Sequence, residues 1–556
     1  MNAATPGVGR MAGLDGERFD AVVIGGGILG AAIARDLGRR GRHALLVERM
    51  DFGWGTTNRC TRLVHGGLRY LENLDFGLVR EGLRERGWLM RAAPHLVGPL
   101  PILLAFYGMS AFRRLQFRAG LTFYDLFAQD RALPRHRHLD ADAVARLVPG
   151  LSTAGLSGAM LYHDAQVELP ERLVVETLRA AEDRGAVVRN HVAATGLLRE
   201  RGRVAGVELT EVRSGGMAAV RSPLVINAAG PWLDAALAAL GVERAPLQRL
   251  TQGVHLVYPR VADQTVCFGH PDDGRLVFLV PWRGMTLAGT TDVDVASPDE
   301  ARITEDEVRY VARSLAFAFP DAADLQPGWA SVGVRSLLRE EGRPSSVTRR
   351  HVVIDHAPDG VAGLFTLVGG KLTAFRSIGA ETVDRALGER DRGALAPGPL
   401  DRDVPPDPGD GADAGDAADP GDAAGPGDAA GPLTRRLWRL YGARADEVRR
   451  WVADDPWWGE PLLADNEAAA VAPADRAIRA EVAHAFADEW AATVADAVNR
   501  RLALGFGPDL GRSAAEAVAG VGVSRFGWDA ARVEAELTAF DAEAEEHRVP
   551  REWTAR

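Results

Sequence analysis

Lysine is almost absent from this chain. Of 65 basic residues among 556, 64 are arginine and one, Lys371, is lysine, so any task that needs a compact ammonium falls to a single side chain. Cysteine is nearly as scarce. Cys60 and Cys267 stand far apart, which excludes a disulfide scaffold and the paired spacing of a zinc site, and no metal is expected. No run reaches the ~18 uninterrupted apolar residues of a membrane span, and the N-terminal MNAATPGVGRMAGLDGERFD lacks the apolar core of a secretion signal. These absences point to a reducing, cytoplasmic setting. The formal charge of −11 argues against a nucleic-acid partner. That charge is concentrated, because residues 401–432 hold nine Asp and one Arg, so 9 − 1 = 8 of the 11 negative charges sit there.

What is present divides the chain. Residues 1–18 read as a flexible start. From Gly415 to Pro432 the sequence runs GDAADP, GDAAGP, GDAAGP, with no aromatic or branched side chain to bury, so 397–432 is expected to be a disordered linker. Beyond it Ile478, Val482, Phe486, Trp490, Val494, Val498 and Leu502 recur every four residues, which predicts one long helix with an apolar stripe inside an all-α C-terminal domain, 433–556. Before the linker, strand-like VVRNHV, RLVFLVPW and MTLAGTTD alternate with helical RLVVETLRAAEDRG. That mixture predicts an α/β class with added antiparallel sheet.

FDAVVIGGGILGAAIARDLGRRGRHALLVE, residues 19–48, reads as strand, glycine turn, helix and strand. Gly25 suits the tight turn, Gly27 the close approach of a pyrophosphate, and Gly30 the packing of helix on strand, so a dinucleotide phosphate would meet the helix N-terminus. Glu48, closing the second strand, is placed to accept hydrogen bonds from an adenosine ribose and disfavours a 2′-phosphate. Three further segments favour FAD over NAD. SPLVINAAGPW (222–232) carries a buried strand into a small-residue turn, and GLFTLVGGKLTAFRSIGAETV (363–383) aims a second helix N-terminus at a ligand. GTTNRCTRLVHGGLRYL (55–71) places His65, Arg69 and Tyr70 around two glycines.

IGGGILGAAIARDL, RLVHGGLRYLEN, NAAGPW, LVFLVPW with AGTTD, GVRSLL and GGKLTAFR occur in the order found in FAD-dependent glycerol-3-phosphate dehydrogenases, which the chain resembles over 19 to about 390. The C-terminal part resembles that family's helical cap more loosely. The resemblance implies a Rossmann-like FAD-binding domain (about 19–75, 155–250 and 330–396) interleaved with a mixed, largely antiparallel substrate domain (about 76–154 and 251–329), together 19–396. Cofactor contacts are expected from Gly25, Gly27, Ile28, Gly30, Glu48, Thr56, Thr57, Leu63, Gly66, Val192, Ala229, Gly230, Trp232, Gly370, Leu372 and Thr373. It implies oxidation of sn-glycerol 3-phosphate to dihydroxyacetone phosphate, with electrons passed to a membrane quinone.

That chemistry needs a base for the hydroxyl proton, and His65 is the first candidate, His255 the second. It also needs cations for a dianionic phosphate, and Arg69, Arg335, Arg349 and Lys371 lie in the relevant motifs, with Tyr70 as a hydroxyl donor. Lys371 falls inside the five-residue GGKLT motif, 5 of 556 positions, which argues against chance placement. Some positions depart from the family pattern: Asn58-Arg59-Cys60-Thr61-Arg62 precedes the HGG, Gln252 replaces a frequent lysine, and Ser336 follows the GVR. An oxidase passing electrons to oxygen and a non-catalytic dinucleotide-binding protein stay open as alternatives, as does a homodimer. Residues 111–138 carry six Arg against two Asp, a net +4, among phenylalanines and leucines. This segment is the candidate for peripheral contact with the inner face of the membrane.

Overall fold

The run Ala21–Ile24 (β1) is apolar at every position because both of its faces are covered, as in a parallel sheet flanked by helices. After the glycine turn come a helix, Ile28–Arg39 (α1), and a second buried strand, Ala44–Glu48 (β2). The structure, a computed structural model, describes residues 11–67, 75–128, 133–339, 350–388, 431–463 and 476–554. Arg69, Tyr70, Arg349 and nearly all of the 397–432 linker lie outside these residues.

β1 pairs in parallel with β2 on one side and with Val225–Asn227 on the other; Val187–Asn190 and Leu364–Val368 extend the sheet, and antiparallel Val352–Asp355 closes it as the sixth strand. This α/β sheet is a Rossmann-like core. A ten-stranded, mostly antiparallel sheet stands beside it, built on the Val97–Tyr107, Leu156–Val167 and Gln248–Pro259 strands. Leu156–Val167 and Trp329–Leu338 belong to this second sheet, so the interleaving is finer than segments 155–250 and 330–396 imply. Among the described residues, RLVFLVPW and MTLAGTTD supply adjacent strands, Leu276–Trp282 and Met285–Gly289, joined by the two-residue turn Arg283-Gly284.

The C-terminal helices enclose a core of their own, and here the single long helix is corrected. Helix Arg479–Ala487 stops, Trp490 takes a left-handed φ of +58°, and a new helical segment covers Asp496–Arg501. Two polar interactions outweigh the apolar periodicity. Buried Glu489 takes Arg172 in a bidentate pair at 2.6 and 2.8 Å, and Thr493 and Asp496 form a capping box, each side chain accepting the other's main-chain N–H at 3.0 and 3.1 Å. Val482, Val494, Val498 and Leu502 nonetheless share the core on either side of the break.

Candidate active site

The C-terminal ends of β1 and β2 open on a cavity of about 640 Å³, a size typical of cofactor sites. Gly25, at φ +111°, turns the chain away from β1, and a Cβ there would lie 2.6 Å from Ala228 O. A Cβ on Gly30 would stand 1.9 Å from Gly25 O, so glycine alone lets α1 start this close to the turn. Gly27, the N-cap of α1, has no capping side chain, and Thr57 Oγ1 accepts from Ile28 N at 3.2 Å. The helix dipole therefore opens on the cavity. Glu48 accepts from Gly26 N at 2.7 Å and Met50 N at 2.8 Å; burial raises its carboxyl pKa against the pull of both amides.

The other expected cofactor residues converge on the same cavity, with one exception. Thr56, Leu63, Val192, Ala229, Gly230, Trp232, Gly370, Leu372 and Thr373 line it, whereas Gly66 is packed against Tyr124, whose hydroxyl accepts from Gly66 N at 2.8 Å; its neighbour Gly67 lines the wall instead. Thr56 Oγ1 donates to Val334 O at 2.6 Å, and Trp232 Nε1 donates to Asp299 at 2.7 Å, which fix two sides of the opening. A glycine turn, two helix N-termini and an acidic residue closing β2 fit a dinucleotide with an anionic pyrophosphate.

The two histidines occupy different layers. His65 lines the cavity, and its main-chain N–H donates to Thr373 Oγ1 at 3.1 Å, which ties the HGG segment to the GGKLT segment. His255 is 2% exposed and stands behind the cavity wall, its Nε2 2.9 Å from the hydroxyl of Thr61, which does line it. Burial, with Arg335 and Arg62 adding to it, pulls the His255 pKa down to about 3, so its ring is neutral at physiological pH.

Several cations line the cavity. Arg335 is held flat by Asp292 Oδ1 at 3.1 Å, Thr290 Oγ1 at 3.0 Å and the carbonyls of Gln252 and Thr291, and it shares the cavity with Arg275, Arg350 and Lys371. The motifs did not single out Arg275, Thr61 or Asp292. The one signal for Asp292 was its place at the end of AGTTD. The departures from the family pattern also find their partners. Gln252 does not line the cavity; its amide donates to Glu307 at 2.6 Å and to Arg302 O. Ser336 donates to Gln248 at 2.7 Å. Arg62 lies 4.3 Å over the Trp282 ring and pairs with Glu171, so it braces the loop beneath the cavity.

A helix N-terminus facing a cation-lined cavity at the carboxyl edge of a parallel sheet fits a dinucleotide-dependent oxidoreductase. Residues 20–383 match the family described as FAD dependent oxidoreductase, and 415–533 match the C-terminal domain of alpha-glycerophosphate oxidase. A glycerol-3-phosphate dehydrogenase of Synechocystis sp. is 34% identical over 96% of this chain and 97% of its own length. Glycerol-3-phosphate dehydrogenase 2 of Mycobacterium tuberculosis is 34% identical over 95% and 88%. The structure of the glycerol-3-phosphate dehydrogenase from Bacillus halodurans complexed with FAD shares the fold, with TM-score 0.72 and 23% identity over 99% of this chain and 100% of that one. The chain belongs to the FAD-dependent glycerol-3-phosphate dehydrogenase family, and FAD is its cofactor.

Proposed function

We propose that the chain oxidises sn-glycerol 3-phosphate to dihydroxyacetone phosphate. The observation that carries this reading is that Arg275, Arg335, Lys371 and His65 line one and the same cavity, so cations for a phosphate and a proton acceptor share the space. FAD, when bound, supplies the two-electron acceptor for the hydride that leaves C2. Arg335 and Lys371 bind and orient the phosphate, with Arg69, Tyr70 and Arg349 as further candidate ligands from neighbouring motifs. His65 takes the C2 hydroxyl proton. His255, neutral behind Thr61, orients the Thr61 hydroxyl rather than touching substrate.

Anaerobic addition of glycerol 3-phosphate is expected to bleach the yellow enzyme. His65→Ala keeps FAD and reduces about 10²–10⁴-fold more slowly, the usual contribution of a general base; reduction at the normal rate would move the role elsewhere. A flavin that stays oxidised with this substrate would overturn the reading as a whole.

The electron acceptor we propose is a membrane quinone, reached by peripheral docking. In support, helix Ala111–Phe127 buries only Leu121 and Tyr124 and leaves Phe112 at 68%, Leu115 at 63% and Leu126 at 73% exposed, interspersed with Arg113 and Arg118. No helix among the described residues is long and apolar enough to cross a membrane. An amphipathic helix of this kind suits an anionic interface. Wild type should co-sediment with anionic vesicles, and an Arg113/Arg114/Arg118→Glu variant should stay in the supernatant; equal binding of both sinks the docking surface. The match of 415–533 to an oxidase domain favours oxygen as the second reading. Peroxide formed in place of reduced quinone analogue would select it.

A further inference from the structure

The first glycine of the HGG segment, Gly66, does not line the flavin cavity, and its surroundings give it another task. Strand Leu63–Val64 pairs with Gln166 and Ala165 and then leaves the sheet, so the main-chain N–H groups of His65 and Gly66 need acceptors elsewhere. Both acceptors are side-chain hydroxyls. Thr373 Oγ1 accepts from His65 N at 3.1 Å, and the Tyr124 hydroxyl accepts from Gly66 N at 2.8 Å. These two N–H groups belong to the peptide planes on either side of the His65 Cα. Fixing both planes fixes the two soft backbone dihedrals of His65 between them, and with them the direction in which its ring leaves the chain.

Tyr124 is itself held from behind. It is 2% exposed on helix Ala111–Phe127, and its hydroxyl donates to Asp164 Oδ1 at 2.6 Å. Arg86 Nη1 donates to the same oxygen at 2.8 Å and to His163 O at 3.1 Å, and both Asp164 and Arg86 are buried. Burial, then the Asp164 carboxylate, holds the phenol well above its ordinary pKa, so its proton stays with Asp164 and its lone pairs are left for Gly66 N. The packing is equally close. A Cβ on Gly66 would lie 2.8 Å from the Tyr124 hydroxyl and 2.9 Å from Leu83 Cδ2. Leu83 belongs to helix Phe76–Ala92, and a Cβ on Gly82 of that helix would lie 2.9 Å from the Gly66 Cα. Two glycines therefore let a helix backbone and a phenol both touch the His65–Gly66 peptide.

We propose that Tyr124 is a positioning residue for the oxidation, its hydroxyl holding the Gly66 N–H so that the His65 ring meets the substrate hydroxyl; this rests on the reading of His65 as the base. Tyr124 does not line the cavity and acts only through the backbone of His65. Removing its hydroxyl leaves a buried N–H without an acceptor, while Asp164 keeps Arg86, so the disturbance is confined to the turn. The peptide then rotates toward a new acceptor and carries His65 with it. Displacing a reacting group by about 1 Å costs on the order of 10²-fold in rate. Arg275, Arg335 and Lys371 lie on other segments and keep their places, so phosphate binding is spared.

The test is anaerobic stopped-flow reduction of the FAD-loaded Tyr124→Phe variant, alone and combined with His65→Ala, with FAD per chain measured in each. Tyr124→Phe is expected to keep its FAD, to slow reduction at saturating glycerol 3-phosphate about tenfold or more, and to leave the half-saturating concentration within about threefold of wild type. The double variant should be no slower than His65→Ala alone, because a residue that acts through His65 has nothing to position once the ring is gone. A residue that only stabilised the fold would slow both backgrounds by the same factor. Reduction of Tyr124→Phe at the wild-type rate overturns the proposal, as does further slowing in the double variant or loss of FAD in step with the rate. Those outcomes leave the base where it is; a His65→Ala enzyme that reduces normally removes the base and the positioning role together.

Discussion

Lys371→Arg is expected to slow flavin reduction by glycerol 3-phosphate by about 10²-fold or more while the protein keeps its FAD, because small misplacements of a positioning group cost that much. Elsewhere in this chain an arginine would pass unnoticed among 64 others. The cavity that Lys371 lines already holds five planar guanidinium groups, Arg49, Arg62, Arg275, Arg335 and Arg350. An ammonium is a compact point charge with three rotatable donors, and a guanidinium is a broader, rigid fork that cannot occupy the same space. The local backbone makes displacement expensive. Gly370 precedes with φ +108°, and Thr373, two residues on, accepts the main-chain N–H of His65 at 3.1 Å. A side chain that forces residue 371 outward therefore also shifts the proposed base. Anaerobic stopped-flow reduction, with FAD content measured per chain, checks this. Reduction at near wild-type rate would make the lone lysine an accident of codon usage.

The flavin-binding sheet was legible in sequence because its determinants are local: an apolar run, glycines at fixed spacing and an acid at the strand end. His65, Thr373 and Lys371 were legible for a related reason, since each sits in a short motif whose glycines constrain the chain. Long-range polar pairing was not legible. Nothing in the four-residue apolar stripe of the C-terminal domain announces that Glu489 must reach Arg172, 317 positions away in sequence, and break the helix to do so. The capping box Thr493-x-x-Asp496 was readable and marks the restart of the helix. His255 shows the same limit, because its motif placed it near the site but not whether it faced the cavity or stood behind Thr61. Gln252 looked like a change in the substrate pocket, yet its side chain turns to Glu307. Only the three-dimensional neighbour distinguishes the two cases.

Asp51→Ala is expected to destabilise the protein by roughly 3–5 kcal/mol, the usual cost of stranding buried charge, and to reduce the FAD retained on purification. Asp51 is 1% exposed and accepts from Arg500 Nε at 2.6 Å, Arg501 Nη2 at 2.7 Å and Asn190 Nδ2 at 2.7 Å. Asp496 holds Arg500 from the other side at 3.0 Å and takes His191 at 2.8 Å. This network ties the C-terminal domain to the start of the loop that carries Thr56, Thr57 and Thr61 to the flavin cavity. Further along the same loop, Phe506 of the C-terminal domain packs 5.3 Å from the Arg62 guanidinium, and Glu546 pairs with Arg59. The C-terminal domain thus acts as a brace for the cofactor loop, although it contributes no lining residue to the cavity among those described. The pH dependence has a definite sign. Burial alone would raise the Asp51 pKa, but Arg501 and Arg500 outweigh it and the net shift is downward. A depressed folded-state pKa means the stabilisation is complete above the unfolded value of about 3.9 and is lost as pH falls through the lower folded value. Wild type should therefore lose this contribution only in strong acid, whereas Asp51→Ala lacks it at every pH. Urea denaturation at neutral pH, with yellow absorbance per chain as the second readout, tests both halves; unchanged stability with full FAD content would show that the cofactor loop stands without its brace.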